Sequence, residues 1–253
     1  MNTDNKKMIG VVGGMGPYAG LDLVKKIFDQ TTAKCDQDHL PVSMISVSHS
    51  IPDRTEFLLG NSEDNPALAI SEVIHALYDQ GATVIGIPCN TAHAPQIFNE
   101  LVNRIPKEIK LIHMINEVAS YIKERYPSIV RVGILSTKGT ADSNIYPDCF
   151  SKHGLNGIQV SEEIQKYRIN PAIYDKVFGI KAKSNPVSSQ AKKYLYTGIK
   201  YLVGEGVEAI VLGCTEIPLG LTDSEIQETP IIDSSKILAR TLILESSPEN
   251  LEE

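Results

Sequence analysis

Two cysteines in matched settings are the residues best suited to chemistry in this chain. Gly86-Ile87-Pro88-Cys89-Asn90-Thr91-Ala92-His93 and Leu212-Gly213-Cys214-Thr215-Glu216-Ile217-Pro218 each carry a thiol where an apolar, β-branched run gives way to small polar residues. The thiolate is the reactive form of cysteine, and the positive end of a helix lowers its pKa. Asn90, Thr91 and Thr215 are good N-cap residues, and together with the backbone N–H groups of a helix start they are equally suited to clamping a carboxylate. A single cysteine ahead of a helix is ordinarily a core residue. A matched pair points instead to proton transfer by two thiols. His93, four residues after Cys89, and Glu216, two after Cys214, are candidates to assist these thiols, to touch a substrate or to cap their own turns. Nucleophilic catalysis by a Cys-His couple would leave the second cysteine without a role. A structural zinc site wants closely spaced thiolates and imidazoles, which this set lacks, so no metal is expected.

The elements that must position these residues follow from local patterns. Met8 to Val12 is a strand candidate broken by Gly13-Gly14-Met15-Gly16-Pro17, and Ala19 to Gln30 has helical spacing. Gly14, Gly16 and Ala19 fit a dinucleotide fingerprint, which also needs an acid at the end of the second strand. That strand, Pro41 to Val47, runs into Ser48-His49-Ser50 without one. The glycines then form a tight turn, or a nest of N–H groups facing an anion. The Ser50 to Thr55 loop puts Arg54 near the same crevice. Helix 67–80 leads into the first cysteine strand. Helix 94–103, a strand at 110–115 and helix 117–125 follow. In the second half Ser136-Thr137-Lys138-Gly139-Thr140 stands in place of the glycine loop. Helices are expected over 143–152, 170–178 and 188–204, and the acidic tail 246–253 reads as frayed. A cleft that holds a dicarboxylate needs fixed positive charge, for which Arg54 and Lys181 are the candidates.

The halves also resemble each other. Ile9-Gly10-Val11-Val12 matches Val132-Gly133-Ile134-Leu135 at an offset of 123. Leu77, Gly81, Ile85 and Cys89 match Leu202, Gly206, Ile210 and Cys214 at 125, and 112–119 matches 232–239 at 120. Near-constant spacing in the same order is what a duplicated unit leaves behind. It predicts an α/β protein of two pseudo-symmetric parallel-sheet lobes from an internal duplication, with the active site in the cleft between them and one cysteine on each wall. The first lobe is expected over 1–115 plus 221–253, and the second over 116–220.

Composition excludes other classes of function. A formal net charge of −7 and scattered lysines argue against a nucleic-acid partner. The polar start Met1 to Lys7 has no apolar signal core, and no apolar run approaches a membrane span, so no membrane partner is expected. Four cysteines without a CxxC pair predict free thiols in a reducing compartment, hence a cytoplasmic protein.

With these residues in hand, the chain resembles the aspartate/glutamate racemase family, and more closely its aspartate racemase branch. The resemblance runs nearly end to end. It is carried by Gly13 to Pro17, Ile51-Pro52-Asp53-Arg54-Thr55, Pro88 to His93, Thr137 with Gly139-Thr140, Ile180-Lys181-Ala182 and Gly213-Cys214-Thr215-Glu216. Glutamate racemases are less similar, tending to carry histidine at the place of Glu216 and an Asp-Ser pair at Gly14-Met15. The resemblance implies a homodimer and cofactor-independent racemisation of an acidic amino acid, aspartate or glutamate. Cys89 and Cys214 would be the two bases. Asn90, Thr91, Thr137 and Thr215 would hold the α-carboxylate, Arg54 and Lys181 would meet the side-chain carboxylate, and Met15 would line the cleft. Lys138 and Ser48-His49-Ser50 depart from the pattern and bear on substrate choice. The alternatives are a glutamate or broad-specificity racemase, an isomerase or decarboxylase of related dicarboxylates, or a non-catalytic amino-acid-binding protein.

Overall fold

In the computed structural model, which describes residues 6–252, the chain forms two compact units. The polar start at residues 1–5 lies outside the described residues. Of the described residues, unit 1 comprises 6–117 and 235–252, and unit 2 comprises 118–234.

Unit 1 is built on a four-stranded parallel sheet of β1 (Met8–Gly13), β2 (Val42–Ser46), β3 (Ala82–Gly86) and β4 (Lys110–Leu111), in the order β2-β1-β3-β4. Parallel strands covered on both faces read as continuous apolar runs, which is why β1 and β3 are buried almost throughout. The pleat sends alternate side chains to opposite faces. Val12 and Ile85 join the core under α3 (Ala67–Asp79) and α4 (Pro95–Arg104). Ile9, Val11 and Val84 join the core under α1 (Pro17–Asp29) and the C-terminal helix. A β-carbon at Gly86 would lie 2.7 Å from Leu242 of that helix, so close packing excludes a larger residue there. One short helix, α2 (Arg54–Leu58), follows β2.

Unit 2 opens with most of α5 (Met114–Arg125) and repeats the plan. Its sheet comprises β5 (Arg131–Ser136), β6 (Asn156–Gln159), β7 (Ala209–Gly213), the short β8 (Glu225–Ile226) and β9 (Thr229–Asp233), in the order β6-β5-β7-β9-β8. All pairings are parallel except β8 with β9. Replacing 2-1-3-4 by 6-5-7-9 shows the same topology twice, as the sequence offsets predict. Two short helices, α6 (Lys138–Asp142) and α7 (Ile145–Lys152), link β5 to β6. After β6 come α8 (Glu162–Ile164), a π-helical turn at Gln165–Ile169 and α9 (Asn170–Tyr174). The long α10 (Ser189–Gly204), capped by Ser188, then packs Ala191, Leu195, Ile199 and Leu202 into the core. Helix α11 (Ser234–Ser246) closes the chain's regular structure.

Three expectations change. The segment 221–234 was expected with the first lobe, but β9 pairs in register with β7, Val211 opposite Ile232, so it completes the second sheet. The helix expected over 143–152 starts at Ile145, because Asn144 at its N-cap adopts a left-handed conformation (φ 51°), and a separate short helix, α6, precedes it at Lys138–Asp142. The tail is docked rather than frayed. Thr32 donates to the Asn250 carbonyl at 2.7 Å, Glu252 donates to that of Gln30 at 2.9 Å, and Ser246 and Ser247 are buried. Among the described residues no helix is long and apolar enough to cross a membrane.

Candidate active site

In unit 1, β3 runs out through Ile87 and Pro88 to Cys89, which is extended (φ −155°, ψ 104°) and leads into a 3-10 turn, Asn90–His93. The turn is short because Pro95 starts α4 afresh at its favoured first helical position. Cys89, Asn90 and Thr91 are all buried, and Met15 and Ile51 share the apolar cluster that holds Cys89. The glycine turn before Met15 is dictated by space. Gly14 has φ +96°, and a β-carbon there would meet the Ser48 and Val47 amide nitrogens at 3.0 and 3.1 Å.

Arg54 begins α2, whose N-cap Asp53 accepts from the Thr55 and Glu56 amides at 2.7 and 3.1 Å. That cap starts a helix that lies beside the 90–93 turn, and Arg54 is buried. Arg54 Nη1 donates to the Pro52 carbonyl at 3.0 Å.

His93 does not reach the Cys89 sulfur. Its Nδ1 lies 2.9 Å from the Cys89 carbonyl and its Nε2 lies 3.4 Å from that of Ile112. The ring stacks on Phe98 and meets His113 edge-on. Burial, with the charge of His113 second, pushes its pKa down to about 3. A neutral imidazole that donates to the carbonyl of Cys89 clamps the strand end and holds no mobile proton at neutral pH.

In unit 2, β5 and β7 are neighbours with Ser136 opposite Gly213, so Thr137 and Cys214 leave adjacent strands at the same level. Gly213 is tightly enclosed, and a β-carbon there would sit 3.1 Å from both Ser136 and Tyr146. Thr137 caps α6, its hydroxyl lying 3.3 Å from the Thr140 amide and 3.1 Å from the Thr140 hydroxyl. Lys138 points the other way, pairing with Asp142 at 2.5 Å on the exposed side of α6. This departure from the family pattern is therefore a surface ion pair.

Cys214, Thr215 and Glu216 are each buried. The Cys214 thiol donates to Glu216 Oε2 across 3.4 Å, and Lys181 Nζ donates to Glu216 Oε1 at 2.7 Å. Lys181 is delivered by a turn that begins at Gly179, where a β-carbon would lie 2.5 Å from the Asp175 nitrogen. The Lys181 amide donates to the Ile173 carbonyl, and its ammonium stands 5.7 Å from the centre of the Tyr174 ring. Burial first, then the Glu216 carboxylate, raises the Cys214 pKa well above the usual thiol range. Burial alone would lower that of Lys181, but Glu216, Cys214 and Tyr174 together outweigh it, so the ammonium is held more firmly than usual.

One contributor had no signal in the sequence. Gln165, in the π-helical turn, is buried and donates through Nε2 to the Ser136 carbonyl at 3.1 Å and to Asn170 Oδ1 at 2.9 Å. It thereby anchors the strand end that presents Thr137. Only the π-helical register turns it inward, and no residue pattern announces that register.

The predicted residues thus gather into two sets, each at the carboxyl end of its own sheet, where ligands of open α/β sheets bind. Met15, Arg54, Cys89, Asn90 and Thr91 belong to unit 1, and Thr137, Lys181, Cys214, Thr215 and Glu216 to unit 2. Each set offers a thiol, hydroxyl or amide donors and one cation. Among the described residues no group of three or more His, Cys, Asp or Glu side chains is gathered as metal ligands would be.

Known proteins share this plan. A family model described as Asp/Glu/Hydantoin racemase matches residues 12–242. The broad specificity amino-acid racemase RacX of Bacillus subtilis is 28% identical over 242 residues, 93% of this chain and 96% of its own length. The aspartate racemase of Picrophilus torridus superposes with a TM-score of 0.78 at 29% identity, over 95% of this chain and 94% of that one. Glutamate racemase from Francisella tularensis, solved with D-glutamate, has the same fold, with a TM-score of 0.66 at 19% identity over 96% and 82% of the two chains. On this match across most of its length, together with the twice-repeated fold that carries a cysteine at each sheet end, the chain belongs to the Asp/Glu/Hydantoin racemase family.

Proposed function

We propose that this protein is a cofactor-independent amino-acid racemase whose first substrate is aspartate, with Cys89 and Cys214 as its two acid–base groups. One thiolate removes the Cα proton, and the other group, as a thiol, returns a proton to the opposite face. The S–H bond broken on one side replaces the one formed on the other, so protons balance over the turnover. A carbanion next to a carboxylate needs preorganised donors in a dry setting. Asn90, Thr91, Thr137 and Thr215 are buried donors of that kind. Arg54 and Lys181 supply the positive charge that an acidic side chain calls for. The single observation that carries the reading is the repetition itself: equivalent strands β3 and β7 each release a buried cysteine followed by buried polar residues.

A second reading, racemisation of a broader set of amino acids, is supported by the similarity to RacX and by the Lys181 ammonium already being paired with Glu216. Both readings take the enzyme as a cytoplasmic homodimer, which light scattering and cell fractionation test. The function is tested by solvent-deuterium uptake at Cα, with purified, pyridoxal-free protein and separate L- and D-enantiomers. Uptake from both enantiomers of aspartate is expected. Uptake from neutral amino acids at equal efficiency would select the second reading, and no uptake from any amino acid would sink both.

A further inference from the structure

The two cysteines are not chemically equivalent. At the duplication offset of 125, the position matching Glu216 is Thr91, so only the second half places a carboxylate two residues after its thiol. That carboxylate is buried, accepts the Cys214 thiol across 3.4 Å, and is itself held at 2.7 Å by Lys181. Lys181 in turn is fixed by the Gly179 turn and the Tyr174 ring. The other titratable groups near Cys214 are Tyr146 on α7, kept un-ionised by burial, and beyond it Asp233 and Cys149.

We propose that Glu216 and Lys181 form a positioning pair that fixes the resting proton on the Cys214 sulfur, so that the free enzyme waits with Cys214 as the proton donor. This rests on the racemase reading for its catalytic meaning. A carboxylate that accepts from a thiol orients its S–H and disfavours a second negative charge beside it. Lys181 limits that effect by neutralising much of the carboxylate and stops Glu216 from turning away. Once Cys214 has given its proton to the substrate carbon, the new thiolate faces a carboxylate across 3.4 Å, and this favours its taking a proton from water while Cys89, which holds the proton removed from the substrate, releases one to water. Lys181, which the family resemblance gives to the substrate's side chain, is by this account first a partner of Glu216.

The test follows the pH dependence of iodoacetamide alkylation at Cys214, resolved by peptide mass spectrometry, with exposed Cys35 as internal reference. The midpoint is read rather than the rate, so limited access to a buried sulfur cancels. In Glu216→Gln the midpoint is expected to fall by about one pH unit, a tenfold gain in thiolate at a given pH. In Lys181→Met it is expected to rise. Glu216→Asp should restore part of the native profile, and the bell-shaped pH profile of kcat/KM should move in parallel. Unchanged midpoints in both Glu216→Gln and Lys181→Met would overturn the proposal. Should Glu216→Gln fail to fold, judged by circular dichroism, Lys181→Met decides alone, since its side chain is part-exposed. Alkylation requires no turnover, so its failure is distinguishable from a failure of deuterium uptake.

Discussion

Ser136 and Gly213 stand opposite each other in parallel strands, so Thr137 and Cys214 emerge side by side although 77 residues separate them in sequence. Lys181 and Glu216 join them from a turn and a strand end. A donor, a thiol, a carboxylate and an ammonium thus converge on one sheet end, and the consequences can be measured.

The thiols should be separable from the fold. Cys89→Ser and Cys214→Ser are each expected to lower racemisation by on the order of a hundredfold or more, the range that acid–base groups supply. Near-native circular dichroism should persist, because Ser is smaller and each site already has polar neighbours. Stereoinversion surviving in the Cys89→Ala, Cys214→Ala double variant, followed by chiral chromatography, would end the two-thiol mechanism.

Gln165 should act at a distance from the chemistry. Gln165→Ala leaves the buried Ser136 carbonyl without its side-chain donor, which costs about 1–3 kcal/mol. Urea denaturation should show that loss, and KM should rise more than kcat falls, since the strand end presenting Thr137 is loosened.

Acid stability should depend on His93. Its folded pKa of about 3 lies below the 6.5 of an unfolded histidine, so between these values only the unfolded chain takes up the proton. The stabilising contribution is therefore complete above pH 6.5 and is lost progressively as pH falls toward 3. Between pH 6.5 and 4.5 the loss should be about 2 kcal/mol from this group. His93→Gln should flatten the slope of unfolding free energy over that window, and identical slopes would show that His93 takes up its proton in the folded state.

Two glycines make a contrasting pair. Gly179→Ala forces a β-carbon to within 2.6 Å of the Asp175 backbone and should cost about 1–3 kcal/mol, or several degrees in Tm, while displacing Lys181. Gly204→Ala, in the last turn of α10 with open space around it, should instead raise Tm slightly, by up to about 1 kcal/mol of stability. A scanning-calorimetry comparison that gave the two changes the same sign would contradict the packing described for Gly179.

Much of this protein is legible from residue order. The apolar runs of β1, β3, β5 and β7, the helical periodicity of α1, α3 and α10, and the repeat offsets all report burial on a strand or helix face, which is a local property written into the pattern. Both cysteine motifs are visible for the same reason, since a strand end followed by polar residues is contiguous. Tertiary structure decided what depends on residues meeting from afar. Strand pairing, which no short pattern specifies, assigned β9 to the second sheet. Packing against 30–32 docked the acidic tail. Burial between two backbone carbonyls made His93 a clamp, and a π-helical register aimed Gln165 at Ser136. The pairing of Lys181 with Glu216, 35 positions apart, exists only because a turn and a strand end arrive at the same place, and that coincidence belongs to the fold.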